Sequence, residues 1–503
     1  MFCVCIACGS HERMIAEMKR LKEDNVGLAE LRLDILRKEP DFLRIIKSPR
    51  PPVIVTARRP SEGGLWKESE EKRLRLLRTA IIEGVEYVDL ELDVAVNIPR
   101  FGKTKRIISY HNLTETPDLY KIREEILKAD PDIIKIAVMP KSIMDVFRML
   151  DFMKDVNKPG EKIKTVGISM SECGAMTRIL ANKFGAPYAY SSFSEKREIA
   201  PGMLYYKDLR DLYRFDDINA ETQVYGVVAD PIRHSLSPLI HNASFKEHKL
   251  NKVYLPFRVA PEDLTDFVDN FEKIDLCGLS VTIPHKVAIL KSLTNIGPAV
   301  KEIDACNTVI FSEGKRIGFN TDYMAAILSI QSAMGLATDQ KGPLHGKRAL
   351  VLGAGGAGKA LAYGLKEKGA SVIVSDGREE AAHELAAYLE CEWREWAGRE
   401  KEKVDILVNC TPIGMYPNLD QCPVDGSILR PGMVVFDSVY NPEFTWLIRQ
   451  AAEKGCTIVP GMEMFVGQAA LQFKLFTGEK ASIDLMRKLV KAALSAVHEP
   501  EDD

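Results

Sequence analysis

A lysine interrupts an apolar run in Asp132-Ile-Ile-Lys135-Ile-Ala-Val-Met-Pro140. A cation in such a strand is costly. Burial disfavours the charged form, so the Lys135 amine is expected to be neutral at ordinary pH. A neutral amine in an apolar setting can attack a ketone and form a Schiff base. A lysine at a strand end can equally reach out to water, and taken alone the two readings weigh the same. Other groups shift that balance. Glu30 and Arg32 stand two apart in Glu-Leu-Arg-Leu-Asp, which puts them on one face of a strand. Arg58 closes another apolar run, with Glu62 in the Pro-Ser-Glu-Gly-Gly loop beyond it. His111 follows a third, in Ser-Tyr-His-Asn, and Arg178 lies beyond a fourth. Each alone reads as a surface charge or a satisfied core polar group. Together they hold an amine, an imidazole that titrates near neutrality, and acids and guanidiniums to orient a polar substrate.

The elements that must position these groups alternate. Strand-like runs fall at 2–7, 28–33, 53–57, 86–92, 106–110, 132–138, 163–169 and 188–191. Amphipathic segments lie between them, among them 11–23, 69–83, 119–129 and 141–156. Eight strands with intervening helices in little over 200 residues predict a (β/α)8 TIM barrel within an α/β chain. An open doubly wound sheet is the alternative, disfavoured because this half lacks a Gly-rich phosphate turn. In a barrel, all the groups above fall at or beyond the carboxyl ends of strands, where barrel enzymes carry their sites.

At these residues the first half resembles type I 3-dehydroquinate dehydratase, over essentially residues 1–215. The Lys135 strand ending in Met-Pro, the Arg58…Glu62-Gly-Gly loop and the Tyr-His-Asn segment carry the likeness. The resemblance implies Lys135 as the Schiff-base lysine, His111 as general base and acid, and Glu62 orienting His111. It implies substrate contacts from Glu30, Arg32 and Arg58, and a carboxylate clamp at Arg178. One segment departs from the family: where a Ser or Thr and a Gln usually flank Ala-Pro-Gly, this chain has Ile199-Ala-Pro-Gly-Met203. Loss of two polar contacts implies an active but weaker dehydratase, unless Ser194, Glu195 or Lys196 substitutes.

The second half opens after a polar break at Phe215–Thr222. An apolar strand at 347–352 runs into Gly353-Ala354-Gly355-Gly356-Ala357-Gly358 and then a helix, the context in which this fingerprint signals a Rossmann dinucleotide site. Asp376 lies 18 residues beyond Gly358 at the end of the next strand, a spacing that suits an acid on ribose hydroxyls. Ahead of that unit come Ser235 and Ser237, then Thr282 and Lys286 after a strand, Asn307, and Asp322. Asn409-Cys-Thr-Pro-Ile-Gly414, Asp437-Ser-Val-Tyr440-Asn-Pro and Gly461-Met-Glu-Met-Phe-Val-Gly-Gln468 follow. In this order the segments resemble shikimate dehydrogenase, from about Tyr225 into the 470s. The resemblance implies a catalytic pair of Lys286 and Asp322. It implies substrate contacts from Ser235, Ser237, Thr282, Asn307, Tyr440 and Gln468. It also implies cofactor contacts from the Gly353–Gly358 turn, Asp376, Arg378, Thr411 and Gly461. Family precedent implies NADP; Asp376, which repels a 2′-phosphate, makes NAD the alternative, with Arg378 still able to grip a phosphate.

The bulk properties agree with a two-enzyme chain. Its 503 residues are too many for one core. A net charge of −3 gives no nucleic-acid footprint, and no apolar run is long enough to cross a bilayer. Ten scattered cysteines read as a reducing, cytoplasmic setting. The Cys3, Cys5, Cys8 cluster lacks further ligands and reads as alternate positions on a buried strand, so no metal is expected. The expected units are a dehydratase barrel over 1–216, a substrate lobe over 222–322 and a Rossmann lobe over 323–469, with helices at 470–500 packing back on the substrate lobe. A monomer or homodimer acting on small molecules is expected. The rival is an NAD-dependent quinate/shikimate dehydrogenase with a degenerate barrel.

Overall fold

The computed structural model describes residues 1–195, 199–232, 235–336 and 342–496. The chain forms two compact units, Met1–Arg233 with Lys249–Leu276, and His234–His248 with Cys277–Asp503.

The first unit holds eight parallel strands: β1 (Phe2–Ile6), β2 (Leu28–Arg32), β3 (Val53–Thr56), β4 (Tyr87–Glu91), β5 (Lys105–Asn112), β6 (Ile133–Val138), β7 (Lys164–Ser169) and β8 (Ala189–Ser192). Their order is β7-β6-β5-β4-β3-β2-β1-β8, a near-closed barrel with β7 and β8 at the two ends of the ladder. Period-two alternation sorts the inward side chains into layers. Leu28, Ile54 and Ile107 belong to an apolar floor with Tyr188 and Tyr190. Two residues further along each strand come Glu30, Thr56, Asp89, Ser109 and Lys135, and two further again Arg32, Arg58, Glu91 and His111. Helices His11–Glu23, Glu70–Ile82, Leu119–Leu127 and Ile143–Val156 lie between strands. Ser10, Ser69 and Asp118 cap the first three by accepting first-turn N–H bonds. The parallel pair β9 (Gln223–Ala229) and β10 (Lys252–Arg258) completes this unit, with helix Leu264–Asp269. The Phe147 ring, on helix Ile143–Val156, stacks on Phe267 at 5.9 Å.

The second unit contains β11 (Leu276–Val281), β12 (Asn295–Ile296), β13 (Thr308–Ser312) and β14 (Lys315–Phe319). β13 runs antiparallel to β11 and β14, and β12 parallel to β14. The β13–β14 turn, Glu313-Gly314, has both φ angles positive, as a tight hairpin needs. A second sheet comprises β15 (Arg348–Leu352), β16 (Ser371–Ser375), β17 (Glu392–Trp393), β18 (Ile406–Asn409), β19 (Val434–Asp437) and β20 (Thr457–Val459). Its order, β17-β16-β15-β18-β19-β20 and all parallel, is the Rossmann order. Its strands read as continuous apolar runs because both faces are covered: Val351, Val374 and Val408 face one cluster, Leu350, Ile373 and Leu407 the other. Helices Gly461–Thr477 and Ile483–Ala496 pack back on helix Ser237–Glu247. Lys196 and residues 497–500 lie outside the described residues. Among the described residues no helix is long and apolar enough to cross a membrane, and no group of three His, Cys, Asp or Glu could hold a metal.

Candidate active sites

The middle layer of the barrel is a closed charge network. Lys135 Nζ lies 3.0 Å from Asp89 Oδ2 and 3.4 Å from Glu30 Oε1, with the Tyr190 ring 4.3 Å away. Thr56 Oγ1 donates to Glu30 Oε1 at 2.9 Å, and Ser109 Oγ donates to Asp89 Oδ1 at 2.6 Å. Arg58 reaches down from the next layer, donating to Asp89 at 2.7 Å and to Glu91 and Ser109 at 3.0 Å. Buried Arg73 donates to the other oxygen of Glu91 at 2.7 Å. Buried charges in such a set are tolerable because each has an opposite partner.

This corrects the expectation that an apolar lining keeps Lys135 neutral. Desolvation does pull the amine down, but Asp89 and Glu30 outweigh it and hold its pKa above the ordinary lysine value. The resting side chain is an ammonium ion. The missing element was Asp89, an acid inside the strand expected at 86–92 and two residues before Glu91. The rule that singled out Lys135 would have found it.

His111 behaves oppositely. Burial, then the neighbouring cations Arg58 and Lys135, push its pKa well below 6.5, so the imidazole is neutral. Its Nδ1 lies 2.8 Å from Glu62 Oε2, and Arg59 Nη2 donates to Glu62 Oε1 at 2.7 Å. Burial raises the Glu62 carboxyl. Arg32 donates twice to Asp34, at 2.9 and 2.7 Å. Its charge contributes, after that of Lys135, to lowering the Glu30 carboxyl against the opposing desolvation. Arg178 is fully buried and donates to the carbonyls of Ser169 and Pro201 at 3.3 and 3.4 Å. It therefore braces the Ile199–Met203 loop, and Met203 packs on the barrel floor. Ile199 and Ser194 are part-buried and Glu195 is exposed.

In the second unit Lys286 Nζ donates to Asp322 Oδ2 at 2.6 Å. Asp322 sits in the first turn of helix Thr321–Ala333, where the helix dipole favours an anion. Asn320 caps that helix, accepting from the Asp322 and Tyr323 N–H groups, and Lys286 O accepts from Cys306 N at 2.8 Å. Asn307 is fully buried. Its Oδ1 accepts from Thr321 N and Thr308 Oγ1, and its Nδ2 donates to Thr321 Oγ1. Much of its amide is thus committed to holding the strand to the helix. Gln472 links the same region, donating to Thr308 Oγ1 at 3.0 Å and accepting from Ser280 at 2.8 Å. Gln472 had no sequence signal beyond its place in a helix. Helix Gly461–Thr477 packs against helix Thr321–Ala333, with Gly467 closely facing Ala325. It carries Gln468 and Phe465, and the Phe465 ring stacks on Tyr440 at 4.8 Å. Thr282 directly follows β11, its carbonyl accepting from His285 N. Ser235 Oγ accepts from Ser237 N at 3.4 Å.

The Gly353–Gly358 turn has the shape of a dinucleotide cradle. Gly353 has φ +100°, closed to most L side chains, and a Cβ on Gly358 would lie 1.8 Å from the Gly353 carbonyl oxygen. Gly355 and Gly356 face open space, at the N-terminus of helix Gly356–Glu367. Backbone amides and a helix dipole aimed at an open turn fit a pyrophosphate. Ala354 and Ala357 complete the turn, and Thr411 and Cys410 approach Gly353 from β18. Gly461 opens its helix where a Cβ would meet the Val439 carbonyl at 2.5 Å. Asp376 accepts from Ala354 N at 2.7 Å and Arg378 N at 2.8 Å. Burial opposes its ionisation, but these two amides prevail and its carboxyl is lowered. The acid therefore ties β16 to the turn, while the Arg378 side chain is 74% exposed.

Comparison with known proteins extends this division. A family model described as Type I 3-dehydroquinase matches residues 2–220. Models for the shikimate dehydrogenase substrate binding domain and the shikimate 5′-dehydrogenase C-terminal domain match 227–309 and 461–491. The chloroplastic bifunctional 3-dehydroquinate dehydratase/shikimate dehydrogenase of Arabidopsis thaliana is 37% identical over 96% of this chain and 83% of its own. A shikimate dehydrogenase (NADP(+)) of Pyrococcus furiosus is 39% identical over 55% of this chain and 98% of its own. A crystal structure of a shikimate dehydrogenase with NADP+ superposes with TM-score 0.51, 35% identity, 55% of this chain and 97% of that one. The Listeria monocytogenes shikimate 5-dehydrogenase with shikimate and NAD gives 0.51, 29%, 54% and 98%. A relative so similar along nearly the whole length, together with matches to both enzymes in order, places this chain in the family of bifunctional 3-dehydroquinate dehydratase/shikimate dehydrogenases.

Proposed function

We propose that residues 1–216 dehydrate 3-dehydroquinate to 3-dehydroshikimate through an imine on Lys135. Residues 222–322 and 323–469, with the helices at 470–500, then reduce that product to shikimate. The observation that carries the first step is the Lys135 ammonium, caged by Asp89 and Glu30 beneath a neutral His111 held by Glu62. Once deprotonated, the amine adds to the C3 ketone and water leaves, giving an iminium. That cation is an electron sink for the neighbouring carbon. His111 takes the C2 proton, the enamine expels the C1 hydroxyl, and the imidazolium returns the proton to it. Water then hydrolyses the imine and frees the lysine. The iminium keeps the positive charge for which Asp89, Glu30 and Tyr190 are already arranged. Glu30, Arg32 and Arg58 shape the site, and Arg178 holds the carboxylate.

In the second step the Gly353–Gly358 turn would hold a nicotinamide dinucleotide, which when bound would supply hydride for the C3 ketone. Lys286 stabilises the developing alkoxide and gives up its proton at that oxygen, and Asp322 fixes its position. Ser235 and Ser237 hold the carboxylate, and Thr282, Asn307, Tyr440 and Gln468 enclose the ring. Exposed Arg378 supports NADP, the cofactor named for the Pyrococcus relative; Asp376 keeps NAD as the second reading. The ten cysteines form no disulfide among the described residues, which supports a reducing compartment such as the cytoplasm. The degenerate-barrel rival is not favoured, because the dehydratase groups are assembled and the Arabidopsis relative carries both enzymes' names.

Borohydride added with 3-dehydroquinate is expected to leave a reduced covalent adduct on Lys135, and none on a Lys135→Ala variant that still reduces 3-dehydroshikimate. Absence of the adduct from the unmodified chain would overturn the imine mechanism.

A further inference from the structure

We infer that Arg258, which by sequence belongs to the dehydrogenase, is a positioning residue for the dehydratase. The substrate-binding-domain match begins at residue 227, yet Lys249–Leu276 is part of the barrel's compact unit. At the end of β10, Arg258 Nη1 donates to Glu172 Oε2 and its Nε to Asp230 Oδ1, each at 2.9 Å. Glu172 belongs to the loop after β7, at the carboxyl end of the barrel. Its neighbour Ser171 has φ +70° and donates its N–H to Pro201 O at 3.0 Å. A Cβ on Gly202 would lie 1.9 Å from the Ser171 carbonyl oxygen, so the two loops are in direct backbone contact. Arg178 joins the same two segments through the Ser169 and Pro201 carbonyls. Among the described residues, Arg258, Glu172 and Asp230 thus form a charge network that braces the segment after β7, whose helix Met176–Ile179 carries the guanidinium assigned to the substrate carboxylate. Lys135 and His111 stand on β6 and β5, and neither touches this network. The effect belongs to binding, not to the chemical step.

This inference rests on the reading of Arg178 as carboxylate clamp. Arg258→Glu places like charges beside Glu172 and Asp230. It is expected to raise the KM for 3-dehydroquinate about five-fold with kcat changed less than about two-fold, the pattern of lost uniform binding. Glu172→Arg combined with Arg258→Glu restores the ion pair and is expected to recover most of that loss. Arg258→Gln, which keeps the side-chain stem, should show a smaller rise of the same kind. Arg178→Ala in the full chain separates the two claims. If Arg178→Ala raises KM but neither Arg258 variant does, or if the charge swap fails to recover KM, the Arg258 inference falls and the clamp stands. If Arg178→Ala leaves KM unchanged, both fall.

Discussion

At the bottom of the dehydratase site two titratable groups share one environment and are driven apart by it. Desolvation lowers both Lys135 and His111, but Asp89 and Glu30 reverse the effect for the lysine, whereas at His111 the cations Arg58 and Lys135 add to it and the nearby acids do not prevail. The outcome is a resting ammonium beside a neutral base, a separation suited to distinct acid and base roles. For His111 the sign follows directly. Its folded pKa lies below 6.5, so it stays a competent base to lower pH than free imidazole. The acid limb of kcat/KM for dehydration, measured from pH 4 upward, should fall below pH 6.5. A limb at or above that value would show that His111 is not the titrating base. The same shift costs stability on acidification. Between 6.5 and the folded pKa the unfolded imidazole binds a proton that the folded one refuses. Lys135 and His111 were legible in the sequence because each is chemically conspicuous at a strand end. The charge state of Lys135 was not, because it depends on Asp89 and Glu30, which come from two other strands.

Elements explain why the dinucleotide turn tolerates so little change. The helix Gly356–Glu367 must start immediately against β15, and Gly358 packs under the Gly353 carbonyl at a distance no side chain can occupy. Gly358→Ala should abolish dinucleotide binding, followed by nicotinamide fluorescence, and remove reduction by more than about 100-fold. Dehydration should persist. Near-normal cofactor binding in this variant would mean that the turn is not the pyrophosphate seat. The glycine spacing made this element readable from sequence. The use to which Asp376 is put was not, because its backbone partner Ala354 lies 22 residues away on a different turn. Asp376→Asn keeps an acceptor for those amides, removes the charge and loosens Arg378. The ratio of kcat/KM for NADP to that for NAD should rise about ten-fold. An unchanged ratio would place the 2′ position of the adenosine ribose away from this side chain.

Over the whole molecule, the first compact unit extends past the sequence break at 215–222 to take in residues 249–276. A polar linker is a local signal, visible in composition. The packing of Phe147 on Phe267 joins residues far apart in the chain, which no local pattern reveals. The joint is substantial. Phe147 and Phe267 are both fully buried, Asp263 Oδ2 accepts from Ile143 N at 3.2 Å, and nearly buried Lys183 is paired with Asp275 at 2.7 Å. Phe257 adds a ring 5.0 Å from Phe267. Truncating Phe267 to alanine leaves a cavity between these elements, a change that usually costs about 3–5 kcal/mol. If the barrel were thermally independent of residues 249–276, Phe267→Ala would leave dehydration untouched on heating. The packing argues otherwise. In the full chain, Phe267→Ala should lower the midpoint for thermal loss of dehydratase activity by on the order of 10 °C. The assay is residual activity after brief heating. The mutated residue is remote from Lys135 in the chain and lies within the stretch matched to the dehydrogenase, so a wild-type midpoint would refute a shared folding unit.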